Sequence, residues 1–168
     1  MTALAGARPR VGPAAVGNAL GIALIVVGGL VAAITGPLQL ERGSWLAAYL
    51  VLVGGVTQCL LARVLEHAPW AFGRGGWVTI AAWNAGNLLV IGGALARVPV
   101  IADAGGLLIA VPLVVALRTT FASRSSPRSV PAAVMPGRVS RAVTALALIV
   151  VLVGVPVGLV LTHLRSAG

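Results

Sequence analysis

The chain has 168 residues, of which 59% are hydrophobic and only 9% are charged, and its mean hydropathy is +1.05. This composition excludes a soluble globular domain and a disordered chain. The formal net charge of +9 comes from twelve arginines against three acidic residues. Because these arginines are scattered near the ends of apolar segments rather than gathered on one face, we predict no nucleic-acid partner.

Five apolar segments follow one another along the chain, and each is about as long as a helix needs to cross a ~30 Å hydrocarbon layer. We therefore predict an all-α fold, a single transmembrane domain over 1–168 that consists of five helices. The segment between the fourth and fifth helices is rich in Arg, Ser and Pro and is predicted to be a flexible cytoplasmic loop, 118–142. The predicted helices are 14–35, 44–65, 77–96, 99–117 and 143–164.

The arginines also predict the orientation. With the N-terminus in the cytoplasm, nine of the twelve arginines lie inside, and only Arg42, Arg97 and Arg165 lie outside. Five helices then place the C-terminus outside. The stretch from Arg118 to Arg141 would lie against the cytoplasmic leaflet, so we predict anionic lipids as its partners, at about 1 kcal/mol of attraction per arginine.

Small residues recur at spacings that let helices approach closely. Two G-x-x-x-G steps and a glycine doublet mark candidate helix-packing interfaces. The sequence leaves open whether these faces pack within one bundle, against a second copy, or against a larger membrane protein complex. The candidate interface residues are Gly17, Gly21, Gly92, Gly93, Gly154 and Gly158.

Polar side chains inside the predicted helices are few and uncharged. Asn84 and Asn87 are three residues apart on one face of the third helix, and Gln58 lies near the middle of the second. Taking the second and third helices as a packed antiparallel pair, we predict a polar cluster between them whose side chains form hydrogen bonds between the helices, worth ~0.6 kcal/mol per contact. The alternative is a polar pocket for a small molecule, lipid or quinone.

Chemistry of other kinds has little support in the sequence. The acidic residues Glu41, Glu66 and Asp103 all lie near segment ends, which disfavours an ion-coupled transporter; Asp103 is expected to pair with Arg97. No catalytic motif is present, so we predict that the chain is not an enzyme.

Cofactor ligands are also scarce. His67 and His163 fall on opposite sides of the membrane in this topology and cannot hold one haem together. Haem held by one of them remains the weakest alternative. The single cysteine, Cys59, excludes an intrachain disulfide, and no Cys or His pair has metal-ligand spacing, so we predict no metal and no cofactor.

Two phrases carry a resemblance to known proteins. WLAAYLVLVGGVTQCLLAR at 45–63 and WNAGNLLVIGGAL at 83–95 resemble the transmembrane regions of actinobacterial membrane proteins related to multicopper-oxidase-type nitrite reductases. In those proteins a histidine is expected where this chain has Tyr49 and an asparagine where it has Gln58, while Asn84 matches. The resemblance implies a bacterial membrane protein, here without the copper-binding domains.

These observations together predict a multi-pass protein of the bacterial cytoplasmic membrane. Dense small residues and scarce chemistry favour a non-catalytic accessory or scaffold subunit of a larger membrane assembly. The first alternative is a binder or carrier of a small molecule, lipid or quinone at the polar pocket. The second is a haem-containing redox subunit.

Overall fold

The computed structural model describes residues 11–122 and, beyond them, positions 145 and 149. This part of the chain folds into four long helices. Each helix is long and apolar enough to cross a bilayer, with mean hydropathy between 1.5 and 2.3 in its most apolar window. The helices are α1 (Pro13–Thr35), α2 (Gly43–Glu66), α3 (Arg74–Ala96) and α4 (Pro99–Ala122).

The first four predicted helices correspond to α1–α4, but the predicted end of the fourth is wrong. Instead of stopping at residue 117, α4 continues to Ala122 and takes in the first five residues of the predicted loop. The hydroxyls of Thr119 and Thr120 each donate a hydrogen bond of 2.8 Å to the carbonyl oxygen of Ala116, so these polar side chains are satisfied within the helix.

The remaining topological predictions fall largely outside the described residues. These are the rest of the predicted loop and the fifth helix, 143–164, which decides the side of the C-terminus. Two positions in that range are described: Ala145 and Ile149 are both helical, and Ala145 is buried.

The four helices pack as two antiparallel pairs. α1 packs along α2 and α3 packs along α4, while α1 also contacts α3 and the second half of α2 contacts α4. α2 and α3 therefore occupy opposite corners of the four-helix bundle. The prediction that they pack directly on each other is wrong, because close packing through glycines joins each of them to a different neighbour.

Glycines set the close approach within each pair. A Cβ added at Gly21 of α1 would lie 2.9 Å from the carbonyl oxygen of Gly55 in α2, and one added at Gly86 of α3 would lie 2.9 Å from that of Gly105 in α4. At both places backbone meets backbone, and any larger side chain would push the helices apart.

The predicted packing glycines divide into three groups. Gly17, Gly21 and Gly93 are buried against other helices of the same chain. Gly92 is exposed, with no atom within 4 Å of an added Cβ. Gly154 and Gly158 lie outside the described residues.

Three short connections lie at the two ends of the bundle. We call the end that carries the link between α2 and α3 the connection end. This link includes the 3₁₀ turn Pro69–Phe72, and α4 ends at the same end of the bundle. The hydrophobic core lies toward this end, where side chains from α2, α3 and α4 pack around the fully buried Trp83. The opposite end carries the links between α1 and α2 and between α3 and α4.

The ion pair observed at Arg97 lies at the opposite end. Arg97 Nη2 is 3.9 Å from Glu41 Oε2, whereas the sequence analysis named Asp103 as its partner. Beside this pair, Arg42 donates a hydrogen bond to the carbonyl oxygen of Ala94 in α3. These contacts join the link between α1 and α2 to the C-terminus of α3.

Candidate functional site

The middle of α2 is not an ordinary α-helix. Its ends, Gly43–Tyr49 and Gln58–Glu66, are α-helical, but the eight residues Leu50–Thr57 form a π-helix. The hydroxyl of Thr57 donates a hydrogen bond of 2.9 Å to the carbonyl oxygen of Leu52, five residues earlier, which matches the π-helical spacing. Single π-helical turns inside α-helices are frequent at functional sites. This longer π-helix ends directly before the candidate residue Gln58.

The side-chain amide of Gln58 is buried without a hydrogen bond to any described residue. Its side chain has no solvent-exposed surface, and neither its amide oxygen nor its amide nitrogen has a partner among the residues that the structure describes. A primary amide offers two donor hydrogens and an acceptor oxygen. Leaving one buried polar group unpaired costs about 1–3 kcal/mol. The unpaired amide of Gln58 would therefore destabilise a bundle that holds no bound molecule.

Two further unpaired polar atoms come from α3. Trp83 is fully buried, and its indole Nε1 has no partner within the described part of the chain. Asn87 is 5% exposed; its Nδ2 donates a hydrogen bond of 2.8 Å to the carbonyl oxygen of Trp83, which leaves its Oδ1 unpaired there. Both residues lie on the same face of α3, one turn apart.

Asn84 differs from Asn87 although both were predicted as site residues. Asn84 is only half-buried, and its Nδ2 donates a hydrogen bond of 2.8 Å to the carbonyl oxygen of Ile80. Its side chain is not among those with buried, unpaired atoms. The structure thus places Gln58 and Asn87 in the interior and Asn84 toward its margin.

Contacts of Gly17 show that these polar residues lie at similar depths. A Cβ added at Gly17 would lie 2.6 Å from Ile80 Cδ1 and 3.4 Å from Ala62 Cβ, so Ile80 and Ala62 share one level. Gln58 is four residues before Ala62 in α2, and Asn87 is seven residues after Ile80 in α3. Because the two helices are antiparallel, both steps lead from this level toward the opposite end of the bundle. At 1.5 Å per residue these offsets are about 6 Å and about 10 Å.

The polar layer formed by Gln58, Trp83 and Asn87 therefore lies in the middle third of the bundle. Trp83, about 4.5 Å from the same reference level, also belongs to the hydrophobic cluster that contains Leu61 of α2, one turn from Gln58. All three side chains are buried, and they belong to helices at opposite corners of the bundle.

Sequence reasoning missed Trp83 as a member of this layer. A tryptophan normally marks the membrane–water interface. The available signal was the position of Trp83 as the seventh residue of the predicted helix 77–96, inside the apolar segment, where the indole N–H needs a partner.

The layer supplies hydrogen bonds but no charge from the described residues. Trp83 and Gln58 offer donors, and Gln58 and Asn87 offer acceptors. Within the described part of the chain, no group of three or more His, Cys, Asp or Glu residues could hold a metal ion. Chemically, the arrangement can orient an uncharged polar molecule.

His67 lies away from the layer, at the connection end. It is exposed, and its Nδ1 is 2.8 Å from the carbonyl oxygen of Arg63. His163 lies outside the described residues. A haem role for either histidine stays a prediction, and the absorbance spectrum of the purified protein tests it.

A separate groove of about 400 Å³ opens between α1 and α2, toward the opposite end. Small and aliphatic side chains form most of its wall, and Gly29 has open space above it. None of the polar-layer residues borders this groove. Its lining residues are Gly28, Gly29, Ala32, Ser44, Ala47, Ala48, Val51 and Leu52.

The architecture and the site together define a class: an all-helical, multi-pass membrane protein with four described helices able to cross a bilayer and an uncharged polar layer at its centre. Comparison with protein-family models, with curated proteins and with solved structures finds no match. The resemblance to membrane regions of nitrite-reductase relatives stays a prediction. Tyr49, which replaces the expected histidine, stacks on Trp45 with ring centroids 5.4 Å apart.

Proposed function

We propose that this chain is a non-catalytic protein of the bacterial cytoplasmic membrane that binds a small, uncharged polar molecule at the centre of its helix bundle. The observation that carries the proposal is the fully buried amide of Gln58, which has no hydrogen-bond partner among the described residues. Native proteins rarely leave such a group unpaired, and a bound molecule would satisfy it.

The unpaired atoms specify the ligand's chemistry. They include both donors and acceptors, so the ligand needs at least one of each, as a hydroxyl, an amide or the ring of a quinol provides. A quinone, which only accepts, would satisfy Trp83 and one side of Gln58 but not Asn87. An ion is disfavoured, because the described layer contains no opposite charge to stabilise it in a medium of low dielectric constant.

The proposed topology has five helices with the N-terminus in the cytoplasm. The charges at the two described ends support the orientation. The described residues at the connection end include one acidic residue, Glu66, and three arginines, so their net charge is +2. The arginines are Arg63, Arg74 and Arg118. At the opposite end, two arginines face two acidic residues, which gives zero. The more positive end is expected on the cytoplasmic side.

The test compares the contents of the purified protein with those of matched variants. Protein is extracted in mild detergent and examined by native mass spectrometry for a bound small molecule. We expect the molecule in wild type, and its loss in Gln58→Leu and in Asn87→Leu. Asn84→Leu is the control, because that amide is half-buried and bonded to its own helix.

Two results would contradict the proposal. One is a wild-type protein that is extracted from its native membrane without any bound molecule, since the layer then has no ligand to satisfy its polar atoms. The other is a bound molecule that all three variants retain, since that places the ligand elsewhere.

A second candidate is an accessory or scaffold subunit. Two features favour it. Only 17% of the most apolar window of α1 is buried, and Gly29 leaves open space in the groove between α1 and α2. A helix of a larger partner would fit there through small residues. Gly17, Gly21 and Gly93 give it no support, because they pack within the chain itself.

The accessory hypothesis predicts a stoichiometric protein that co-purifies from the native membrane. Gly29→Leu should release it, whereas Ala19→Leu, on exposed surface of the same helix outside the groove, should not. A single monodisperse chain from native membranes would contradict this candidate and leave the ligand-binding proposal untouched.

A further inference from the structure

Exposed aromatic side chains gather at the connection end. Trp70 is 39% exposed, Phe72 is 76% exposed and Trp77 is 46% exposed. All three lie within eight residues, on the link between α2 and α3 and the first turn of α3. Tryptophan at a helix end is typical of the headgroup level of a bilayer. These rings therefore mark the depth at which this end meets lipid headgroups.

Three arginines lie at the same end as the aromatic side chains. Arg63 lies in the last turn of α2, Arg74 begins α3 and Arg118 lies near the C-terminal end of α4; all three are exposed. Glu66 is the acidic residue described at this end. The resulting charge of +2 contrasts with zero at the opposite end, so an anionic partner would be attracted to this end specifically.

The connection is held in one shape by its backbone. The N–H of Ala71 donates a hydrogen bond of 2.9 Å to the carbonyl oxygen of Ala68, and both alanines are buried in the core. A Cβ added at Gly75 would lie 3.0 Å from the Trp70 ring, so the indole packs directly on the start of α3. The backbone that carries Arg74 and Trp70 is thus ordered before binding, which lowers the entropy cost of recognition.

From these three observations we infer that the connection end is a binding site for the headgroup of an anionic phospholipid, with Arg74 as its central contact. A guanidinium binds phosphate oxygens through paired N–H donors, and the indoles of Trp70 and Trp77 pack beside the headgroup. Arg63 and Arg118 select a net negative charge over a zwitterion. This site is distinct from the polar layer and does not depend on its ligand.

The inference is tested by native mass spectrometry of the full chain from mixed micelles with equal amounts of phosphatidylglycerol and phosphatidylcholine. We expect wild type to retain phosphatidylglycerol in preference. Arg74→Gln should lower that preference about fivefold, the effect of one arginine near an anionic surface. The control is Arg97→Gln at the opposite end, which should retain the full preference; unchanged helical circular dichroism verifies the fold of each variant.

Three outcomes would overturn the inference. Equal retention of the two lipids by wild type would show no headgroup selectivity. An equal loss in Arg74→Gln and Arg97→Gln would show a general effect of net charge rather than a site. Complete displacement of the lipid by excess inorganic phosphate would identify a free-phosphate site instead.

Discussion

The amide nitrogen of Asn87 donates a hydrogen bond of 2.8 Å to the carbonyl oxygen of Trp83, one turn earlier in α3. This bond satisfies one donor hydrogen of the asparagine and fixes its side chain on the face that carries the Trp83 indole. Within the described part of the chain, Asn87 Oδ1 and Trp83 Nε1 are left as an unpaired acceptor and an unpaired donor on one buried face. α3 thus presents both kinds of hydrogen-bonding atom on its buried face.

Replacing Gln58 with leucine should stabilise the ligand-free bundle by about 1–3 kcal/mol, because a buried amide without partners is exchanged for an apolar side chain of similar size. The measurement is thermal unfolding in mild detergent after the bound molecule has been removed. Gln58→Ala is the comparison and should be less stable than the leucine variant, because it leaves a cavity. Lower stability of Gln58→Leu than of wild type would indicate that Gln58 is hydrogen-bonded in the empty protein.

Thr57→Val should destabilise the chain by about 0.5–1.5 kcal/mol, the net worth of one hydrogen bond. The substitution keeps the side-chain shape but removes the hydroxyl that bonds to Leu52 in the π-helix. Thr57→Ser retains the hydroxyl and serves as control in the same unfolding measurement. If valine were as stable as threonine, the hydroxyl would not support the π-helical segment.

Gly21→Leu should prevent normal packing of α1 on α2. Even the Cβ would lie 2.6 Å from Cys59 Sγ and 2.9 Å from the carbonyl oxygen of Gly55, and backbone cannot yield as a flexible side chain does. We expect destabilisation of at least about 3 kcal/mol, above the usual range for overpacking. The readout is the midpoint of unfolding.

The control for that experiment is Gly92→Ala. Gly92 lies on an open face of α3, so alanine should stabilise the helix by up to about 1 kcal/mol through its higher helix propensity. A large loss of stability in Gly92→Ala would reveal that this face is packed against something in the membrane.

Arg97→Gly should stabilise the chain by about 1 kcal/mol, because Arg97 ends α3 in the left-handed conformation, with φ = 58°, which glycine adopts without a steric penalty. The left-handed conformation costs a non-glycine residue about 1–2 kcal/mol, and the lost ion pair with Glu41 offsets only part of this gain. Its two side chains are 73% and 85% exposed, and exposed pairs are worth about 0–1 kcal/mol. Arg97→Ala, which keeps the strain, should not be stabilised.

The sequence by itself determined the number and approximate limits of the described helices, because hydropathy and length report directly on the cost of placing a segment in hydrocarbon. It also located Gln58 and Asn87, since an uncharged polar residue stands out within an apolar run. It misplaced the end of α4, because Thr119 and Thr120 look like loop residues until their hydroxyls are seen to bond within the helix.

Only the tertiary structure decided which helices pack together and which polar atoms are left unpaired. Every helix has small residues on its surface, so the pairing of α1 with α2 and of α3 with α4 depends on matching shapes that composition does not encode. The π-helix in α2 and the burial of Trp83 are likewise visible only in the structure. Asn84 and Asn87 are the same residue type three positions apart, and only the packing of neighbouring helices makes one buried and the other marginal.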